Sequence, residues 1–201
     1  MSAQRSNRSG PDGIRPCPVA LMLVDFVNDL EFEGAERLLP AALAAARATS
    51  ALRLRAKRAG IPVIYCNDNF GRWRSDFRSL LRHCMQDGVR GRPLAELLRP
   101  DEDDYFVLKP KHSGFHSTSL DVLLPYLGVR TLVLTGIAGD FCVLLTAHDA
   151  YMRDYRLFVP GDCIASDPQR DNEAALQHMR KVCKADTTPS TALDLERLTT
   201  G

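Results

Sequence analysis

Nine residues, Val19 to Val27 (VALMLVDFV), form an apolar run broken only by Asp25. The run is rich in branched residues and does not alternate with polar ones, as expected of a strand buried on both faces. The next segment, 34–60, is rich in alanine and leucine, turns basic toward its end and stops at Gly60, which predicts one long helix. Four further apolar runs, 61–67, 104–110, 130–136 and 155–162, read as strands. Segments 118–128, 140–154 and 167–184 have helical spacing between them. Ser166 with Gln169 reads as a capping box, with Pro168 in the first turn of the last of these helices. The stretch 91–104 reads as a short helix followed by an acidic loop. Strands alternating with helices predict the α/β class: a three-layer α/β/α arrangement around a mainly parallel, Rossmann-like sheet.

Length and composition narrow this picture. The chain has 201 residues and neither a repeat nor a change of composition that would mark a second domain, so 16–201 is expected to be one domain. Residues 1–15 are polar and contain glycine and proline, which predicts a disordered N-terminal tail. A net charge of +1 argues against nucleic acid as a partner, and no apolar run approaches the roughly 20 residues of a membrane span. The six cysteines include no Cys-x-x-Cys pair, and with no secretory leader evident they are expected to be reduced thiols in a cytoplasmic protein. No Gly-x-Gly-x-x-Gly follows the first strand, which removes the dinucleotide-binding reading.

Parallel sheets of this kind bind ligands beyond the C-terminal ends of their strands. Three chemically able residues fall at such ends: Asp25 after the first strand, Lys109 after the third, and Cys142 after the fourth, within GIAGDFCV. Each has an ordinary reading taken alone: a strand-end cap, a surface charge and a buried thiol. Their joint placement at one rim is what points to chemistry. The segment 67–84 sets Phe70, Trp73 and Phe77 among Arg72, Arg74, Arg78 and Arg82. One reading is a loop covering the substrate, with Arg72 or Arg74 holding a carboxylate and Trp73 excluding water. The other is a structural loop whose arginines pair with Asp68, Asp76 or a neighbouring subunit. Phe115 reads equally as a pocket wall or as core. His112 and His116 read as solvated loop residues or as substrate contacts, His148 as a packing or interface residue, and Asp162 as a turn former.

Three segments together resemble the isochorismatase-like cysteine hydrolases, a superfamily that includes nicotinamidases, N-carbamoylsarcosine amidase and biuret hydrolase. They are LMLVDFVNDL, FVLKPKHSGFHSTSLDVLL and LVLTGIAGDFCVLLTAHDA, and the resemblance covers about residues 16–195. It implies cleavage of an amide or carbamoyl C–N bond through a thioester, with Cys142 as nucleophile, Asp25 as proton carrier and Lys109 as the third member of a triad. It also implies an oxyanion hole formed by the backbone N–H groups of Ala138 and Cys142, with a cis peptide before Ala138. The helix start near Asp140 and the Lys109 ammonium are both expected to favour the thiolate. Asp68, Trp73, Arg72, Arg74 and Phe115 are the expected substrate-binding residues. Two departures stand out. Gly139 occupies a position where many relatives carry threonine, which is expected to enlarge the pocket or loosen the turn. In NDNF, Phe70 replaces the histidine of the nicotinamidase zinc arrangement, so no metal and no cofactor are expected. Relatives are usually oligomers, which implies a dimer or tetramer. Isochorismatase-type vinyl-ether hydrolysis remains as an alternative, as does a thiol-redox or interaction protein on the same fold.

Overall fold

The structure, a computed structural model, describes residues 16–71, 73–74 and 76–200. The expected tail over 1–15 and the candidate Arg72 lie outside them. Six strands make one sheet: β1 Val19–Val24, β2 Val63–Asp68, β3 Tyr105–Lys109, β4 Thr131–Ile137, β5 Arg156–Phe158 and β6 Ile164–Ala165. The order is β3-β2-β1-β4-β5, with β6 also paired to β4, and the pairings are all parallel. β1, made first, therefore lies in the middle, paired Leu23 to Tyr65 on one side and Leu23 to Thr135 on the other.

The absence of alternation in β1 has a simple cause. Val19, Leu21 and Leu23 pack into one apolar layer, while Ala20, Met22 and Val24 pack into the other. The first layer is closed by α1 Ala35–Arg58 and α3 Arg92–Leu97, and the second by α4 Leu120–Tyr126, α5 Leu144–Tyr151 and α6 Gln169–Val182. In α1 the buried positions Leu38, Ala42, Ala45, Ala46, Thr49, Leu52 and Ala56 recur at helical spacing, so small residues let the helix lie close to the sheet. No helix among the described residues is long and apolar enough to cross a membrane.

Several segments differ from the sequence expectation. Part of the 67–84 stretch is a helix, α2 Phe77–Cys84, capped by the Asp76 side chain accepting from the Ser79 N–H at 2.7 Å. It buries only Phe77, Leu80 and Cys84, too few positions to show a stripe among four arginines. The strand expected over 155–162 ends at Phe158. The chain then turns and rejoins the sheet as β6. A final short helix, α7 Leu195–Thr200, was not anticipated. Ser166 does not form a capping box with Gln169, because Pro168 stands at the start of α6 without a side-chain cap. The Ser166 hydroxyl instead accepts from the Asp140 N–H at 2.9 Å, at the turn after β4.

Candidate active site

The chain runs outward from β1 to β3 and then returns to the other side of β1 as β4. The crevice at this reversal, beyond the strand ends, is where open α/β sheets hold ligands. Asp25, Asp68, Lys109 and Cys142 all lie there. Asp25 follows β1 in a left-handed conformation, φ 53°, which aspartate tolerates better than most residues. Its carboxylate is held from β2: the Asp68 N–H donates to Asp25 Oδ1 at 2.7 Å. Lys109 ends β3 and is fully buried, with 0% of its surface exposed. Its ammonium lies 2.8 Å from Asp25 Oδ2, 3.6 Å from Asp68 Oδ2 and 3.6 Å from Cys142 Sγ.

Cys142 sits in a single π-helical turn, Gly139–Val143, that leads into α5. The Ile137–Ala138 peptide before this turn is cis. The Ala138 carbonyl accepts from the N–H groups of both Phe141 and Val143, at 3.1 Å each. The turn is fixed from below as well. Thr146 Oγ1 donates to the Cys142 carbonyl at 2.7 Å and accepts from the Gly114 N–H at 2.9 Å, tying the segment after Lys109 to α5.

Electrostatics sets the resting state. Burial, joined by the nearby Asp25 carboxylate, pushes the Cys142 thiol up to about 12, against the opposing pull of Lys109. Lys109 does favour the thiolate, as expected, but Cys142 is only 9% exposed and shares its pocket with an acid, and these outweigh one ammonium. Burial also raises the Asp25 carboxyl above the usual carboxylate range, although Lys109 draws it down. For Lys109, burial works to lower the pKa, but Asp25, Cys142 and Asp68 outweigh it and the net shift is upward. The resting site is thus a protonated thiol beside a carboxylate that can accept its proton, with a fixed cation behind both.

These groups open into a cleft of about 550 Å³. Asp25, Asp68, Ala138 and Cys142 line it, but other candidates do not. Phe115 is 2% exposed and belongs to the core, its ring lying under the Arg153 guanidinium at 4.7 Å. Trp73 is 77% exposed and Arg74 is exposed too. Neither lines the cleft, because α2 carries this segment away from the rim. Among the described residues the arginine at the cleft is Arg37, from the first turn of α1, and Phe32, Glu33 and Gly34 accompany it. Their only signal in the sequence is that FEGAER closely follows the first strand end. His112 also reaches the cleft, its ring 4.1 Å from that of Phe141. Asp167, ahead of α6, completes the far side.

Two departures noted in the sequence also lie here. Phe70 lines the cleft but has no ligand atom, and among the described residues no three His, Cys, Asp or Glu ligand atoms converge there. Gly139 does not enlarge the pocket. It faces inward, where a Cβ would collide with Asn172 Oδ1 and stand 2.9 Å from Ile164 Cδ1. The missing side chain leaves room for Asn172 and Ser166, whose Oγ donates to Asn172 Oδ1 at 3.2 Å behind the Gly139–Val143 turn.

Comparison with known proteins places the chain in a family. The isochorismatase domain model matches residues 19–191. The uncharacterized isochorismatase family protein YaaI of Bacillus subtilis is 41% identical over 169 residues, 84% of this chain and 92% of that protein. The maleamate amidohydrolase of Pseudomonas putida is 31% identical over 169 residues, 76% of each chain. The crystal structure of N-carbamoylsarcosine amidase from Thermoplasma acidophilum superposes with a TM-score of 0.69 at 30% identity, covering 88% of this chain and 98% of that one.

Proposed function

Because this chain belongs to the isochorismatase family, we propose that it is a cysteine amidohydrolase, cleaving a non-peptide C–N bond of a small amide or carbamoyl compound through a thioester on Cys142. The observation that carries this reading is the buried chain of contacts from Asp25 through Lys109 to Cys142 at the floor of an open cleft. Two similar proteins, the maleamate amidohydrolase and the N-carbamoylsarcosine amidase, bear the names of amide-cleaving enzymes, which supports the same bond class.

The steps follow from the site's charges. Asp25 takes the thiol proton as the sulfur attacks the carbonyl carbon, so a thiol of high pKa is no obstacle. The carbonyl oxygen becomes an oxyanion, and the N–H groups of Ala138 and Cys142 are the donors for it. Such a donor is worth about 3–4 kcal/mol in the transition state. Asp25 then returns its proton to the nitrogen, the C–N bond breaks and the amine or ammonia leaves. Water, deprotonated by Asp25, attacks the thioester. The acid is released and the thiol is restored. Lys109 keeps a positive charge beside Asp25 throughout, so the carboxyl can ionise without bulk solvent.

The first test is ammonia release from a panel of small amides and ureido compounds. At least one is expected to turn over, with an acyl adduct on Cys142 visible by mass spectrometry after rapid quenching. Activity is expected to survive a chelator, since Phe70 stands where the nicotinamidase zinc arrangement has a histidine. Loss of activity restored by zinc would overturn the metal-free expectation.

The dependence on pH has a definite sign. The base must be ionised, so kcat/KM should rise as pH passes the elevated pKa of Asp25, above the ordinary carboxylate range. It should then stay level through the range of about 8.5 where a free thiol ionises, because the thiol proton leaves only during attack. A second ascending limb near that value would show that the thiolate forms by itself.

A further inference from the structure

We infer that the cleft takes an amide whose far end carries a positive charge and disfavours one that carries a carboxylate. This rests on the amidohydrolase reading and names its substrate class. The first observation is the balance of charges. Besides Asp25, the residues Glu33, Asp68, Asp140 and Asp167 line the cleft. Among the described residues two cations are near them, and both are engaged: Lys109 with Asp25 at 2.8 Å, and Arg37 with Asp167 at 2.8 Å and Glu36 at 3.6 Å. A substrate carboxylate would have to displace Asp167 from Arg37 while facing the remaining acids. An ammonium group meets no such obstacle.

The second observation is independent of charge. Phe32, Phe70 and Phe141 line the same cleft and are left 46%, 40% and 49% exposed. Phe70 is held there in a left-handed conformation, φ 52°, by its N–H donating to Asp68 Oδ1 at 2.6 Å. Aromatic faces beside carboxylates favour an alkylammonium, through ring quadrupole and charge together. A cleft of about 550 Å³ also exceeds what a bare amide group needs, so a tail of several atoms has room. Hydrolysis would turn a cationic amide into a zwitterion, placing a new carboxylate among these acids and favouring product release.

The experiment compares 4-aminobutanamide, butanamide and succinamate, which differ mainly in the charge at one end. Expected is a kcat/KM for the cation at least about tenfold above that for the anion, with the ratio shrinking as salt is added. The double variant Glu33→Gln, Asp167→Asn should lower that ratio several-fold, because it removes two acids and frees Arg37. Succinamate as the preferred substrate, or a ratio indifferent to the double variant, would overturn the charge assignment while leaving the hydrolase reading intact. Binding of the same three amides to the Cys142→Ala protein, by calorimetry, separates the two claims. If the native protein hydrolyses none of them but the variant binds the cation most tightly, the hydrolase reading fails and the charge assignment stands. Equal binding, or none, overturns the charge assignment.

Discussion

Replacing Cys142 with alanine should reduce turnover by at least about 10⁴-fold, since loss of a covalent nucleophile that works as one unit with its base leaves little of the chemistry. The fold should survive: the change removes one sulfur at the cleft floor, and the nucleophile turn is held by backbone bonds to Ala138 and by Thr146. Circular dichroism and the melting temperature check that. Cys163→Ala is the matched control. Cys163 is also fully buried, and burial likewise raises its thiol, to about 12, but it lies away from the cleft. It should retain turnover within a few-fold, so a general effect of losing a buried thiol is separated from loss of the nucleophile. Full hydrolysis by Cys142→Ala would end the thioester mechanism.

The second large effect is expected at Lys109. Lys109→Met keeps most of the side-chain volume but leaves the Asp25 and Asp68 carboxylates facing a buried site with no cation. Removing one partner of a buried pair costs about 3–5 kcal/mol, which for a domain of this size lowers Tm by roughly 10 °C. Turnover should vanish as well, since Asp25 without its counter-charge becomes a protonated acid that cannot accept the thiol proton. The exposed Lys111→Met should leave both quantities nearly unchanged. The double variant Asp25→Asn, Lys109→Met separates the roles: with both charges gone it should regain part of the lost stability and remain inactive. A stable Lys109→Met protein with normal turnover would show that the lysine is dispensable to both fold and chemistry.

The sequence exposed what burial makes visible and hid what tertiary closure creates. β1 could be read because both its faces are covered, so no polar residue is tolerated before Asp25. That same intolerance made Asp25, Lys109 and Cys142 conspicuous, as polar groups at the ends of apolar runs. α2 could not be read, because a short helix with three buried positions gives no periodicity against Arg78 and Arg82. The cleft walls were the least legible. Trp73 looked like a pocket residue because it is aromatic and close in sequence to Asp68, yet it stands in solvent. Phe32, Glu33 and Arg37 looked like the start of a helix, and it is the path from β1 into α1 that brings them over the site. The thiol's surroundings were only half legible for a related reason. The helix start and the lysine could be read locally, whereas the depth of burial beside Asp25 could not.

The position of β1 also bears on how the chain is made. During synthesis β1, β2 and β3 emerge first and can pair as three strands with β1 at one edge. That edge, VALMLV, is wholly apolar and carries unpaired backbone groups until β4 arrives to cover it. Exposed apolar edges of this kind recruit other chains. A ribosome slowed after Lys109 has left its exit tunnel, and before Thr131 has, would therefore hold a sheet ready to pair with its neighbour on the same message, and yield in the cell should depend on the speed of that passage.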